Sequence, residues 1–350
     1  MKNPSLLLTA TLLLTSSAFA QAPAAPIPSA PAAQTPATVP AAPAAPADPL
    51  PPSSPKFFTA KTPTLETVNS FLKSLWGYDP NRLYRVMAIQ TTPAPNISKV
   101  VVFVTDKTPG AKIASTAFYV TPDGKHAIGE GAGVIPFGAN PFADTRALLQ
   151  AHADGATRGA TGKGLLLVEF ADLQCPHCKE AQETMDNLVK DFPDARVVFQ
   201  LFPLVDIHSS AFKAAAYGVC VQKQNNDAFF KFAAGVFDTQ EALSPATEDT
   251  VLNAAVTRIG LDSPAIAACA ATQATKDIVD ADIKLADDAG VDQTPLLAVN
   301  GRLLPVTQIP YESLKQIIVF QASMDGVPTG ASAETLTPKP PPSALTTLPK

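Results

Sequence analysis

The sequence predicts an α/β domain carrying a long helical insertion, preceded by a small α+β domain. Three observations predict it. Leu165–Phe170 is a nearly continuous apolar run, the pattern of a strand covered on both faces, and it leads straight into an amphipathic helix. Between 203 and 289 the periodicity is helical and no strand signal appears, until a strand–turn–strand pattern follows Thr294-Pro295. Upstream, between Phe57 and Asp144, one helical stripe is followed by several short alternating segments separated by turn residues.

Taken in order, residues 1–20 carry Lys2, an apolar core from Leu6 to Leu14, and Ala18-Phe19-Ala20 before Gln21. This is the pattern of a secretory signal peptide with cleavage expected after Ala20, and export to a bacterial periplasm is the natural setting. No cysteine follows the expected cleavage site, so a lipoprotein anchor is not expected. The four cysteines, an even count, suit an oxidising compartment. Residues 21–56 are two-thirds Ala and Pro, which bury no core and predict an extended spacer. Residues 325–350, with Pro338, Pro340, Pro341 and Pro342, read as a disordered tail.

The first domain is expected over 57–144. Thr62-Pro63 reads as a helix opening, with the hydroxyl as N-cap and proline at the first position. Val68, Phe71, Leu72, Leu75 and Trp76 then fall on one helical face. Strands are expected at Leu83–Ile89, Lys99–Val104 and Ile113–Val120, with Thr121-Pro122-Asp123-Gly124 turning into a return strand at Lys125–Ile128. No acid–base constellation stands out in this domain, and His126 reads as a surface histidine of a hairpin. Residues 145–164 read as a connecting helix followed by a Gly-rich hinge. The second domain is expected over 165–324, with its insertion at about 205–290.

The chemistry centres on Cys175-Pro176-His177-Cys178. Pro176 has no N–H to lose and its φ suits a first helical turn, so a helix is expected to begin at Cys175. Ala181, Met185, Leu188 and Val189 recur at helical spacing and are expected to face the sheet. A thiol at a helix N-terminus meets unpaired N–H groups and the positive end of the dipole, which favour the thiolate. His177, when protonated, adds a cationic neighbour; such surroundings lower a cysteine pKa from about 8.5 into roughly 3.5–7.5. Cys178 lies one turn on, within reach of a disulfide and expected to be buried. A zinc site would need two further ligands, but Cys220 and Cys269 stand alone and His126, His152 and His208 form no pair. A purely structural bridge over two intervening residues would close little loop entropy. The pair reads as a redox dithiol, with no metal and no organic cofactor expected. Glu169 lies on the strand expected to be buried, where desolvation raises a carboxyl pKa toward proton exchange with a buried thiol; a strand-end glutamate reaching solvent is the alternative. Cys220 and Cys269 are expected to form a second, structural disulfide closing a loop of about fifty residues, worth ~4 kcal/mol, with two free buried thiols as the alternative.

Val168-Glu169-Phe170-Ala171-Asp172-Leu173-Gln174 followed by the Cys-Pro-His-Cys motif resembles the DsbA-like thioredoxin-fold thiol:disulfide oxidoreductases. The resemblance runs from Leu165 to Ala322 and includes Phe202–Asn225 and Ile259–Ala270, which look like the family's helical segments. It implies a thioredoxin fold with helical insertion. His208, near a helix start, is read as packing or capping rather than catalysis. Gly290–Gly301 is the second signature, a loop, a strand and an Asn-Gly turn into a hairpin. By resemblance the Thr294–Pro295 bond should be cis and face the dithiol, leaving Thr294 backbone groups to pair with an extended substrate strand. The family also places an acidic residue at the Glu169 position, beneath the buried cysteine. Phe118–Gly131 loosely resembles the amino-terminal domains of periplasmic disulfide isomerases, which dimerise, so a homodimer is one implied state.

The function expected is an exported oxidoreductase, favoured as an oxidase, that exchanges disulfides with substrate proteins through Cys175 and Cys178; a membrane redox partner is implied by the resemblance only. The rivals are a dimeric isomerase or reductase, and a non-enzymatic chaperone or adaptor that would keep its function without Cys175. Over Leu165–Met324 acidic residues outnumber basic ones 21 to 11, so nucleic acid is not an expected partner.

Overall fold

The computed structural model describes residues 48–108, 110–129 and 133–331. The expected signal peptide, most of the Ala/Pro spacer and the end of the tail lie outside the described residues. Two compact units are present, one of 81–137 with the residues up to Val68, the other of Asn69–Pro80 with the residues from Gly138 onward.

The first unit is an antiparallel meander of β1 (Arg82–Thr91), β2 (Ser98–Asp106), β3 (Ala114–Val120), β4 (His126–Gly129) and β5 (Val134–Pro136), paired in that order. The alternation of Val100, Val102, Phe118 and Val120 places apolar side chains on one buried face. Helix α1 (Leu65–Trp76) starts later than expected: Thr64, not Thr62, is the cap, its Oγ1 accepting the Thr67 N–H at 3.1 Å. The spacer expected over 21–56 also ends early. Leu50 is buried, and the Arg85 guanidinium donates to the Leu50 and Pro51 carbonyls, so 48–56 pack on the unit.

The last turns of α1 count with the second unit, whereas the sequence placed them in a self-contained 57–144 module. Within that unit Arg302 donates to the Ser74 and Leu75 carbonyls, satisfying acceptors that a helix end leaves open. Helix α2 (Ala143–His152) follows, and then, where a hinge was expected, β6 (Ala156–Gly159). The glycines there serve close packing: a Cβ on Gly155 would stand 2.1 Å from the Phe199 carbonyl oxygen, and Gly159 has φ +77°.

The second sheet has the order β10-β9-β7-β8-β6, with β7 (Leu165–Ala171) at its centre, β8 (Ala195–Leu201) parallel to it and β9 (Leu296–Val299) antiparallel. β6 and β10 (Arg302–Pro305) are the edges, both antiparallel to their neighbours. Every residue of β7 is buried. Leu165 and Leu167 pack with α3 (Pro176–Asp191) and α9 (Tyr311–Met324), while Leu166, Val168 and Phe170 pack with α2 and α8 (Gln273–Ala289). Between β8 and β9 stand the helices α4 (Ala211–Gln224), α5 (Asn226–Thr239), α6 (Glu248–Arg258), α7 (Ser263–Ala270) and α8, with a core of their own. This is the thioredoxin fold with a helical insertion. Residues 325–331, expected to begin the disordered tail, are held: Asp325 accepts from Asn300 Nδ2 at 2.7 Å and pairs with Arg146 at 3.1 Å. Among the described residues no helix is long and apolar enough to cross a membrane.

Candidate active site

The central strand ends at Ala171, and a short turn delivers the chain to α3. Cys175 is the N-cap residue in extended conformation and Pro176 the first helical residue. The Cys178 and Lys179 N–H groups point back at the Cys175 carbonyl. Both thiols are free; Cys178 is fully buried and Cys175 is 4% exposed. Cys175 Sγ lies 3.8 Å from the Thr294 carbonyl oxygen, and the Thr294–Pro295 bond is cis. The turn before β9 therefore meets the N-terminus of α3, although 119 residues separate the two in sequence.

Electrostatics distinguish the two sulfurs. The Cys175 thiol is pulled down to about 5, first by the hydrogen bond from the Cys178 thiol, then, against partial burial, by Thr294 and the Cys178 and His177 N–H groups. Burial pushes Cys178 well up, and the neighbouring Cys175 sulfur adds to that. One thiol is poised as thiolate and the other is held protonated. His177 contributes its backbone N–H; its ring is turned to Glu180, with Nδ1 2.9 Å from Oε2, and that carboxylate raises the imidazole pKa.

Glu169, fully buried on β7, is pushed up to about 7 by desolvation, against the opposing field of Arg158. Its Oε1 accepts from Gln182 Nε2 at 2.8 Å, and the same nitrogen donates to the Cys178 carbonyl at 3.0 Å. Oε2 has no partner. Glu169 thus touches the dithiol helix through Gln182, and the solvent-reaching alternative is excluded.

Asp172 is not among the residues singled out from the sequence, and His208, read as packing or capping, meets it here. Asp172 is fully buried; its Oδ1 accepts the Gln174 N–H, and its Oδ2 accepts the Leu204 N–H and His208 Nδ1. The signal available was a carboxylate at the end of an apolar strand, three residues before the first cysteine, which has to find donors. Cys220 and Cys269 are bonded to each other, within α4 and α7. Among the described residues no three His, Cys, Asp or Glu side chains are arranged to hold a metal ion.

A family model described as thioredoxin matches residues 154–319. The likeness to the thioredoxin family is therefore a property of this domain, 166 of the 350 residues. The chain is also similar to a sodium/proton antiporter, NhaA 3 of Salinispora tropica, at 30% identity over 145 residues, which are 41% of this chain and 21% of that protein. The chain thus spans about a fifth of the length of that relative. Among solved structures the catalytic domain of Proteus mirabilis ScsC is 22% identical, with 51% of this chain and 98% of that one covered at a TM-score of 0.42. Oxidised BdbD of Bacillus subtilis is 20% identical, with 48% and 93% covered at 0.43.

Proposed function

We propose that the protein is an exported thiol:disulfide oxidase that passes the Cys175–Cys178 disulfide to substrate proteins. The observation that carries this reading is the asymmetry of the pair, a stabilised thiolate at Cys175 beside a buried, protonated Cys178. A stabilised Cys175 thiolate favours the reduced enzyme, which makes its disulfide a good oxidant.

In the oxidised form a substrate thiolate attacks Cys175 Sγ and the Cys175–Cys178 bond breaks. Its electron pair goes to Cys178 Sγ, which takes a proton. A second substrate thiolate then attacks the substrate sulfur of the mixed disulfide, and the electron pair returns to Cys175 as thiolate. The substrate loses two electrons and two protons; one proton stays on Cys178 and the other goes to solvent. Thr294 beside Cys175 suits pairing with an extended substrate backbone. Recharging needs a disulfide-bearing or quinone-linked oxidant at the membrane, which fits export directed by residues 1–20. The test is refolding of a reduced one-disulfide protein with stoichiometric oxidised enzyme, expected to form the disulfide rapidly. Failure there, with catalytic repair of scrambled disulfides by a dimer that needs 57–144, would establish the isomerase instead.

A further inference from the structure

Every hydrogen-bonding group of Asp172 is engaged in or around the dithiol turn. Its N–H donates to Cys178 Sγ at 3.4 Å and its carbonyl accepts the Cys175 N–H at 3.1 Å. Its carboxylate takes the three donors already described, from Gln174, Leu204 and His208 at 2.7, 2.9 and 2.7 Å. Leu204 and His208 share one oxygen, so the two ends of the segment after β8 are fastened to the residue that faces the buried sulfur. Gln174 strengthens the attachment, accepting from the Ser210 N–H and donating to the Leu243 carbonyl. The turn is thereby tied to the helical insertion, and His208 is the only side chain hydrogen-bonded to the buried carboxylate among the described residues.

We propose that His208 is a positioning residue for the buried thiol: it pins the Asp172 carboxylate and so keeps the Asp172 N–H on Cys178 Sγ while the Cys175–Cys178 bond opens and closes. The proposal rests on the oxidoreductase reading. Cys178 is shut off from water, so donors for charge developing on its sulfur must come from the protein. Asp172 supplies one, and the sulfur of a thiol or departing thiolate is a stronger acceptor than the sulfur of a disulfide. The hydrogen bond therefore favours the reduced form, and losing its alignment favours the oxidised form.

The test is the equilibrium of the full chain with glutathione. Two glutathione thiols reduce the Cys175–Cys178 bond and leave as one glutathione disulfide, passing two electrons to the enzyme sulfurs. His208→Leu is expected to shift this equilibrium about threefold to tenfold toward the oxidised enzyme, the scale of one hydrogen bond. His208→Asn, whose amide nitrogen lies as far along the side chain as Nδ1, is expected to stay within about twofold of the unmodified protein. A role limited to stability would lower the melting temperature of both redox forms alike and leave the equilibrium in place. An unmoved His208→Leu, a shift toward the reduced form, or equal shifts in the two variants overturns the proposal. If His208→Leu does not fold, His208→Gln, with its donor one methylene too far out, takes its place under the same criteria. Absence of any glutathione equilibrium at this pair in the unmodified protein would overturn the oxidoreductase reading as well. A normal equilibrium there with unmoved variants sinks only the role of His208.

Discussion

The chain spends its four cysteines in two pairs, and the pairs are opposites. Cys175 and Cys178 sit one turn apart at the N-terminus of α3, where backbone N–H groups have no helical partner and converge on sulfur. Cys220 and Cys269 are 49 residues apart within α4 and α7. Cys220 is fully buried, and both sulfurs of this pair lie near the Thr275 hydroxyl, at 3.6 and 3.7 Å. A short loop gives little entropy to a cross-link, while a long one gives much. A helix N-terminus stabilises thiolate, and a helix interior offers none of that. The same residue type is a reagent in one place and a staple in the other, and its surroundings make the difference.

The comparison breaks most visibly at Cys175. Cys175→Ser should lower the rate of disulfide transfer to a reduced test protein by ~1,000-fold or more, since the sulfur poised as thiolate is gone. Cys178→Ser should instead trap mixed disulfides, visible as substrate-sized adducts on non-reducing gels. Retained transfer in Cys175→Ser would remove the distinction between the two pairs.

Next in size is the thiolate itself. Ultraviolet absorbance of the reduced protein should report a Cys175 midpoint near pH 5, far below the ordinary 9.0. Because the Cys178 hydrogen bond is the largest cause, Cys178→Ala should move that midpoint upward yet leave it below an ordinary thiol, the Thr294 and N–H contacts remaining. An unmoved midpoint in the variant would assign the shift to the Thr294 and backbone N–H contacts alone.

Replacing both Cys220 and Cys269 by Ala should cost ~4 kcal/mol of stability on the chain-entropy scale, read by denaturant unfolding. The glutathione equilibrium of the Cys175–Cys178 pair should stay where it was. A variant that keeps its stability and loses its redox balance would reverse the assignment of the two pairs.

What could be seen in the sequence followed from local pattern. The strand–thiol–helix order of 165–188 and the helical periods of the insertion need only neighbours along the chain. The Asn300-Gly301 turn carries its own signal as well, and Gly301 has φ +89°. Contacts across the fold were out of reach. His208 meets Asp172 from 36 residues away, and Gln182 bridges Glu169 to Cys178 because β7 and α3 happen to face each other there. Gly155 and Gly159 misled for a related reason: flexible-looking glycines are also what a strand needs where a neighbouring backbone comes very close. Residues 48–56 and 325–331 were misread on composition, because one Leu50 or one Asp325 with the right partners outweighs a low-complexity setting.

The smallest expected effect probes the floor beneath the reactive pair. Glu169 has a folded-state pKa of about 7 against an ordinary 4.5, because burial penalises its charge. Between those values the folded chain binds more protons than the unfolded one, so stability falls as the pH rises through that window. The full penalty is present above pH 7 and absent below about 4.5; a shift of this size corresponds to about 3 kcal/mol at most. Glu169→Gln keeps the shape and removes the charge, so it should be more stable than the unmodified protein at pH 8, by ~1–3 kcal/mol, and no more stable at pH 4. The decline with pH should flatten without vanishing. Asp282, raised to about 7 from 3.8 by burial, titrates with the same sign and remains in place. Denaturant unfolding of both proteins at several pH values between 4 and 8 checks this. Parallel profiles would mean that Glu169 is already neutral at every pH tested or finds a charge partner on ionising, and either result would separate this carboxyl from proton exchange at Cys178.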